Sequence, residues 1–280
     1  MAGPIPPRTK TPLRSANSPS SLALISSTIC SPGKYMRVYI LSDVHIKFTH
    51  SSPEEQARHD RILSFLKSLV GKADLLVLNG DIFDLWAEWR FSLIKQYFPA
   101  LKLLADVVES GCKIVYVSGN HDFWFGDFFT KYLGAELHDS SYGFDADGKR
   151  ILISHGDLFT LNDTRYKIFR RLVRSPFVRK IFSILHPDLA LSLGNKLSRT
   201  SSVKRIAKSS HKARVAGLEL FARKQIQAGK YDYVIMGHSH NPVLIPIGEG
   251  FYANGGDWLR HNSFITIIDG KLELCQYQTD

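Results

Sequence analysis

The stretch Met36–His45 reads MRVYILSDVH: a short run of β-forming residues is followed at once by an aspartate and a histidine. The same order recurs along the chain, because a short apolar run precedes each of four further clusters of Asp, Asn, His and Gly. In α/β folds, ligand sites form beyond the carboxyl ends of the strands, so we expect the five clusters to converge at one edge of a sheet. The four further clusters are Gly80–Asp84 (GDIFD), Gly119–Asp122 (GNHD), His155–Asp157 (HGD) and Gly237–His240 (GHSH).

The segments around these clusters predict the fold class. Helical periodicity lies between the first strands, at residues 53–70 and 89–110. The tail, residues 243–277, contains short β-runs separated by Asn-Gly-Gly and Asp-Gly turns. Between the fourth and fifth clusters the pattern is helical again, which predicts a helical insertion over residues 160–227. Strand–helix alternation with a β-rich end predicts a layered α/β fold.

Residues 1–35 differ in composition from the rest of the chain. They contain six prolines, seven serines, four basic residues and no acid. Such a segment buries too little apolar surface to fold by itself, so we expect a disordered extension, or translation that starts at Met36. The apolar run Leu22–Ile25 is too short to favour a signal peptide. The remaining residues, 36–280, are predicted to form one domain.

Composition excludes several classes of protein. The three cysteines, Cys30, Cys112 and Cys275, have no CxxC spacing, which argues against a disulfide scaffold and favours a reducing, intracellular setting. No run of 18 uncharged apolar residues is present, which argues against a membrane-spanning helix. The net charge of +10 is concentrated in residues 165–214, which hold 14 Lys and Arg and one acid. This block predicts an anionic partner: nucleic acid, anionic lipid or a phosphorylated substrate.

The five clusters supply the ligand types that divalent transition metals prefer, carboxylate oxygen and neutral imidazole. Any one cluster alone would be typical of a turn or a core histidine, but five in this order predict a metal site. Seven ligands are too many for one ion and suit two ions that share a carboxylate, an arrangement that can clamp an in-line phosphoryl displacement. The candidate ligands are Asp43, His45, Asp81, Asn120, His155, His238 and His240.

The ordered set DxH, GD, GNHD, H and GHxH resembles the calcineurin-like metallophosphoesterase superfamily over residues 36 to about 258. The resemblance implies a metallophosphoesterase domain built as a β-sandwich flanked by helices (α/β/β/α), with two divalent ions. It assigns one ion to Asp43, His45, Asp81 and His240. It assigns the other to Asp81, Asn120, His155 and His238, with Asp81 bridging.

The same resemblance implies catalytic roles for two further residues. His121 corresponds to the superfamily histidine beside the metals, which stabilises the phosphoryl oxygens or protonates the leaving group. Asp122 would orient His121, with the capping of a local turn as the alternative.

A closer resemblance is to the family of UDP-2,3-diacylglucosamine diphosphatases of lipid A biosynthesis. It rests on GDIFDLW at residues 80–86, GNHDFW at residues 119–124, and the segment from His155 to Arg199. It implies a hydrolase that lies on the cytoplasmic surface of the anionic inner membrane, commonly uses manganese, and releases UMP and 2,3-diacylglucosamine 1-phosphate from a nucleotide-sugar lipid. The best-known branch has arginine where this chain has His121. The residues predicted near the substrate are Asp163, Tyr166, Ser198 and Arg199.

The composition of the insertion also suits an anionic lipid, because basic residues flank a stripe of apolar ones. The stripe lines an acyl pocket or packs onto the core, and the basic residues face phosphate, anionic headgroups or solvent. No protein partner is inferred. The stripe consists of Phe169, Leu172, Phe177, Ile181 and Phe182, and the basic residues are Lys167, Arg170, Arg171 and Arg174.

Two other functions remain as alternatives. The first is a phosphoesterase of the same superfamily that acts on another nucleotide, a phosphoprotein or nucleic acid; the basic block fits a nuclease, whereas the apolar stripe argues against one. The second is an inactive protein that keeps the fold, and the retention of all seven candidate ligands argues against it.

Overall fold

The computed structural model describes residues 35–49, 52–161, 164–192 and 208–278. The predicted disordered extension therefore lies outside the described residues except for Tyr35, and so do Asp163, Ser198 and Arg199.

The described strands form two sheets. The first has the order β11-β10-β1-β2-β3-β4 and the second the order β5-β6-β7-β9-β8. Parallel pairs lie in the middle of each sheet, where β1, β2 and β3 pair in parallel and β7 pairs in parallel with β6 and β9. In chain order the strands are β1 (Val38–Leu41), β2 (Leu75–Asn79), β3 (Lys113–Val117), β4 (Glu136–His138), β5 (Ser141–Ala146), β6 (Lys149–Ser154), β7 (Tyr233–Met236), β8 (Val243–Ile247), β9 (Gly250–Asn254), β10 (Ser263–Ile268) and β11 (Lys271–Gln276).

Helices cover both outer faces of the sheet pair. In chain order the helices of the described residues include α1 (Pro53–Leu69), α2 (Phe98–Glu109), α3 (Phe128–Tyr132), α4 (Thr164–Val173), α5 (Pro176–Ile184) and α6 (Lys208–Gln227), with a 3₁₀ turn at Lys95–Tyr97 and helical residues at 187–192.

Three apolar layers hold these elements together and confirm the predicted α/β/β/α sandwich. Val77 and Ile235 belong to the layer between the sheets, and helices cover the opposite faces, so β2 and β7 are buried along their whole length. Leu66 and Leu104 pack helices α1 and α2 onto the first sheet. Leu218 and Ala222 pack α6 onto the second sheet.

The helix predicted over residues 89–110 is wrong in its first part. Trp89 pairs with Ser92 in an isolated bridge, and α2 begins only at Phe98. Pro99 lies in the first turn of α2, where its missing N–H costs nothing. If the helix began nearer to Trp89, Pro99 would lie in its interior, and the proline ring would clash with the carbonyl four residues earlier. The helix therefore cannot extend toward Trp89.

The predicted insertion contains two kinds of helix. Helix α6 is part of the sandwich, because Leu218 and Ala222 are fully buried against the second sheet. Helices α4 and α5, linked by Arg174 and Ser175, form the α4–α5 hairpin, and Ser175 caps α5, since Ser175 Oγ accepts a hydrogen bond from Val178 N at 3.3 Å. In the described part of the chain, no helix is both long and apolar enough to span a bilayer.

Candidate metal centre

The five clusters of Asp, Asn, His and Gly lie at one end of the sandwich. Three follow β1, β2 and β3 of the first sheet, and two follow β6 and β7 of the second. The prediction of a single sheet edge is therefore wrong, because the chain crosses to the second sheet after β4. The centre lies where the carboxyl ends of the parallel strands of both sheets meet.

The structure brings all seven candidate ligands together. Three groups have ligand atoms within 4.8 Å of one another: Asp43, His45 and His240; His45, Asp81 and His121; and Asp43, Asp81 and His155. Asn120 joins them through its amide oxygen, which lies 3.1 Å from His155 Nε2 and 2.9 Å from His238 Nδ1.

Two buried imidazole nitrogens in this cluster indicate that it fits metal ions. His45 Nε2 and His238 Nε2 are buried and have no hydrogen-bond partner. An unsatisfied buried polar atom costs about 1–3 kcal/mol, so such atoms ordinarily have a partner. Divalent ions would satisfy both, and the oxygen and imidazole donor set suits transition metals. The residues present therefore fit the two ions that the sequence predicts.

The backbone of these loops is strained. Five candidate ligands, none of them glycine, have φ between 51° and 63°, in the left-handed region. Such residues cost on the order of 1–3 kcal/mol each and concentrate at functional sites. Hydrogen bonds between loops hold two of them, from Asp43 N to Gly80 O at 3.1 Å and from His45 N to Asp81 O at 2.9 Å. The five are Asp43, His45, Asp81, His238 and His240.

Asp81 lies at the middle of the cluster. Its Oδ1 accepts hydrogen bonds from Asn120 N at 2.7 Å and His121 N at 2.9 Å. Its Oδ2 lies 3.6 Å from His155 Nε2 and 3.8 Å from His45 Nε2. Burial raises the pKa of Asp81, but His155, His121 and His45 outweigh burial and hold this pKa well below its ordinary value. The carboxylate is thus ionised and central, as a bridging ligand must be.

Hydrogen-bond partners on Nδ1 orient two of the candidate histidine ligands. His155 Nδ1 lies 3.0 Å from Asn79 O, and His240 Nδ1 lies 3.2 Å from Asp257 Oδ2. A partner on one ring nitrogen fixes the tautomer and leaves the other nitrogen for a metal. Burial lowers the pKa of His238 to about 3, with a smaller contribution from His155, so His238 is a neutral donor. Sequence reasoning missed Asp257, which stands just after the Gly255–Gly256 turn.

His121 lies beside the candidate ligands, and Asp84 orients it. His121 Nδ1 donates to Asp84 O at 3.0 Å, and the Asp84 carboxylate lies 3.8 Å away. Burial lowers the pKa of His121, but Asp81 and Asp84 outweigh burial and raise this pKa above its ordinary value. Sequence reasoning missed Asp84 as well, although the second aspartate of GDIFD was available as a signal.

Asp122 caps local turns, which is the alternative to its predicted role of orienting His121. Its carboxylate accepts hydrogen bonds from four backbone N–H groups and from the Tyr116 hydroxyl. None of its hydrogen bonds reaches the His121 ring, so the prediction that Asp122 orients His121 is wrong. The physical reason is that two loops turn sharply here and expose N–H groups, which one buried carboxylate satisfies. The four N–H groups belong to Asp81, Ile82, Phe83 and Gly119.

Helix α4 contacts the edge of the cluster through Asp157. Tyr166 OH donates to Asp157 Oδ2 at 2.8 Å, and the Tyr166 ring lies 6.2 Å from the His238 ring. Arg170 Nε donates to the same oxygen at 2.5 Å. Tyr166 is therefore placed beside the candidate metal site, while Arg170 binds a core carboxylate instead of facing a headgroup.

The apolar stripe of the insertion is largely exposed. Phe177 is 72% exposed and Phe169 is 57% exposed, so these rings neither pack onto the core nor line a closed pocket. Phe182 differs, because its ring packs on Trp124 at 4.4 Å and on Trp89 at 5.9 Å.

Comparison with known proteins agrees with this geometry. The calcineurin-like phosphoesterase family matches residues 36–242. The chain belongs to this family. As a calcineurin-like phosphoesterase it is a metal-dependent hydrolase with a dinuclear metal site.

Individual relatives match most of the chain. A protein of Porphyromonas gingivalis named UDP-2,3-diacylglucosamine hydrolase is 27% identical over 264 residues, which is 87% of this chain and 98% of that protein. A protein of the same name from Haemophilus influenzae (strain KW20) is 28% identical over 84% of this chain and 96% of its own length. Among solved structures, an archaeal phosphodiesterase aligns with a TM-score of 0.44 and 14% identity, over 86% of this chain and 99% of its own.

Proposed function

We propose that this phosphoesterase hydrolyses the pyrophosphate bond of UDP-2,3-diacylglucosamine, giving UMP and 2,3-diacylglucosamine 1-phosphate. One water is consumed and one P–O bond of the P–O–P bridge is broken, so that each product carries one phosphate. The proposal rests on the similarity, over nearly their full length, to relatives of that name. The exposed apolar surface of α4 and α5 beside the candidate metal centre supports a substrate that carries acyl chains.

The seven candidate ligands would hold two divalent ions, which we propose are Mn²⁺. Such ions polarise a phosphoryl oxygen and activate water at neutral pH. Asp81 would hold the pair together from its central position. His121, fixed through Nδ1 by Asp84 O, would keep Nε2 toward the substrate and give a proton to the leaving phosphate or stabilise its charge.

The hairpin of α4 and α5 is proposed as the membrane-facing surface, at the cytoplasmic face of the inner membrane. Phe177 and Ile184 on α5 are 72% and 75% exposed, and Ile168 on α4 is 65% exposed. Large exposed apolar surfaces of this kind mark interaction sites, and basic residues such as Lys167 and Arg171 add attraction to anionic lipid. Tyr166 lies on the same helix beside His238 and would contact the substrate, and we expect the same of Asp163, Ser198 and Arg199.

A second candidate function is the hydrolysis of a nucleic-acid phosphodiester. The observation in its favour is a groove of about 580 Å³ at the junction of α4 and α5, lined by Lys167, Arg170, Arg171 and Arg174. Two of these cations, Arg170 and Arg174, already bind acceptors of the core, which weakens this alternative.

Product analysis tests the proposal directly. The purified protein is loaded with Mn²⁺ and incubated with UDP-2,3-diacylglucosamine, and in parallel with single-stranded DNA. We expect UMP and 2,3-diacylglucosamine 1-phosphate in equal amounts, and no cleavage of DNA. Release of nucleotides from DNA without UMP from the lipid would overturn the proposal in favour of the second candidate.

A further inference from the structure

The Gly119–Phe125 loop carries Asn120 and His121 at the candidate metal centre and is bound from outside by the α4–α5 hairpin. Trp124 Nε1 donates to Val173 O at 3.0 Å, and the Trp124 ring packs on Phe182 at 4.4 Å. Arg179 Nη2, on α5, donates to Phe125 O. The end of this loop is therefore attached to the hairpin through backbone and side-chain contacts.

Arg174, between α4 and α5, binds the beginning of the same loop. Its Nη2 donates to Gly119 O, directly before Asn120, and its guanidinium lies 4.9 Å above the Phe123 ring. Its Nη1 donates to Asp139 O at 3.2 Å, so the planar guanidinium spans two separate backbone segments. If the only role of Arg174 were to attract an anionic ligand, its guanidinium would not need hydrogen bonds to two backbone carbonyls.

The hydrogen bond from Arg174 to Gly119 O matters because of where Gly119 lies. A Cβ atom at Gly119 would collide with the Asp81 carboxylate, so the backbone here lies directly against the central candidate ligand. Asp81 Oδ1 in turn accepts from Asn120 N and His121 N. A shift at the Gly119 carbonyl would therefore move both residues relative to Asp81.

We propose that Arg174 is a positioning residue of the metal centre, which holds Asn120 and His121 in place through the Gly119 carbonyl and thereby couples the hairpin to the chemistry. The inference rests on the dinuclear centre of the proposed function and not on its lipid substrate. The hairpin then has two roles: its exposed apolar side chains face outward, and its Arg174 positions residues of the metal centre.

The test compares Arg174→Lys with the wild-type protein. Lysine keeps the charge but cannot span Gly119 O and Asp139 O as a planar fork does. We expect Mn²⁺ affinity by calorimetry to fall about 10- to 100-fold at one of the two sites, as for lost outer partners of metal ligands. For the soluble diester bis(4-nitrophenyl) phosphate, kcat should fall by a similar factor with KM within about twofold. Amides of residues 119–125 should exchange hydrogen faster.

Two further variants keep the test decisive. Lys180→Ala removes a positive charge from the exposed surface of α5 without touching the Gly119–Phe125 loop contacts described above, and it should change none of these readouts. Trp124→Phe removes the bond to Val173 O and should weaken Mn²⁺ affinity in the same direction by a smaller factor, whether or not the Arg174 variant folds well.

Wild-type Mn²⁺ affinity, kcat and exchange in Arg174→Lys would overturn the proposal, because charge alone would then suffice. A raised KM with unchanged metal affinity would overturn it too, since Arg174 would then contact substrate. If the wild-type protein cleaves the soluble diester but releases no UMP from the lipid, the proposed function fails while the Arg174 comparison stands.

Discussion

Among single residues, Asp81 lies at the middle of the candidate metal centre, since its two oxygens face Asn120, His121, His45 and His155. In Asp81→Asn the amide would remove the negative charge shared by both ions, while nearly the same volume is kept. We expect activity to be lost almost completely and the melting temperature of the metal-free protein to change little. Bound metal per chain and turnover of bis(4-nitrophenyl) phosphate measure this. Full metal content with normal turnover would exclude Asp81 as the bridging ligand.

His121 differs from the candidate ligands because its Nδ1 is engaged by Asp84 O. In His121→Ala we expect kcat to fall by about 10²–10⁴, the usual contribution of general acid–base catalysis, with metal content near that of the wild type. Asp84→Ala should give a smaller loss in kcat, because the Asp84 carbonyl remains. Loss of bound metal in His121→Ala would instead identify this residue as a ligand.

Asp122 should act on stability. The variant Asp122→Ala leaves four backbone N–H groups and the Tyr116 hydroxyl without their buried acceptor. Each orphaned group costs about 1–3 kcal/mol, so we expect a fall of several kcal/mol in the free energy of unfolding. Chemical denaturation of the metal-free protein measures it. A stable variant that is merely slow would restore a catalytic role for Asp122.

Among the secondary-structure elements, helix α5 exposes three large apolar side chains: Phe177, Ile181 and Ile184. Replacing Phe177 and Ile184 with serine should weaken sedimentation with anionic vesicles at least tenfold, because each buried apolar side chain contributes about 1.5–3 kcal/mol. Turnover of a soluble diester should stay unchanged. Leu220→Ser on α6, which removes another exposed apolar side chain, is the matched control. Equal vesicle binding by all three proteins would show that α5 does not face the membrane.

At the scale of the whole molecule, the sequence pattern indicates a layered α/β fold and the ligand cluster, because each ligand motif directly follows an apolar run, whereas the two-sheet sandwich follows only from the family resemblance. It does not reveal β5, where Gly143 and Asp145 interrupt the β-forming pattern. Nor does it separate Arg170 and Arg174 from Arg171, since a run of charges does not tell which cation meets a buried acceptor. Sequence reasoning also missed Asp84 and Asp257. The partner of Asp257 is distant in sequence, and Asp84 acts through a backbone atom, so no local motif reveals either contact.

Because the metal centre lies where two sheets meet, it cannot form early in the nascent chain. His238 N donates to Asp43 Oδ2, and these residues are 195 positions apart in sequence. Contacts of such separation form late in folding, because a long loop must close before they stabilise anything. During synthesis the first sheet's aspartates leave the ribosome well before His238 and His240, since translation adds about 5–20 residues per second. With the proposed ligand set, tight metal capture therefore has to wait until His238 and His240 have been made, and a nascent chain that ends before them would hold its ions weakly.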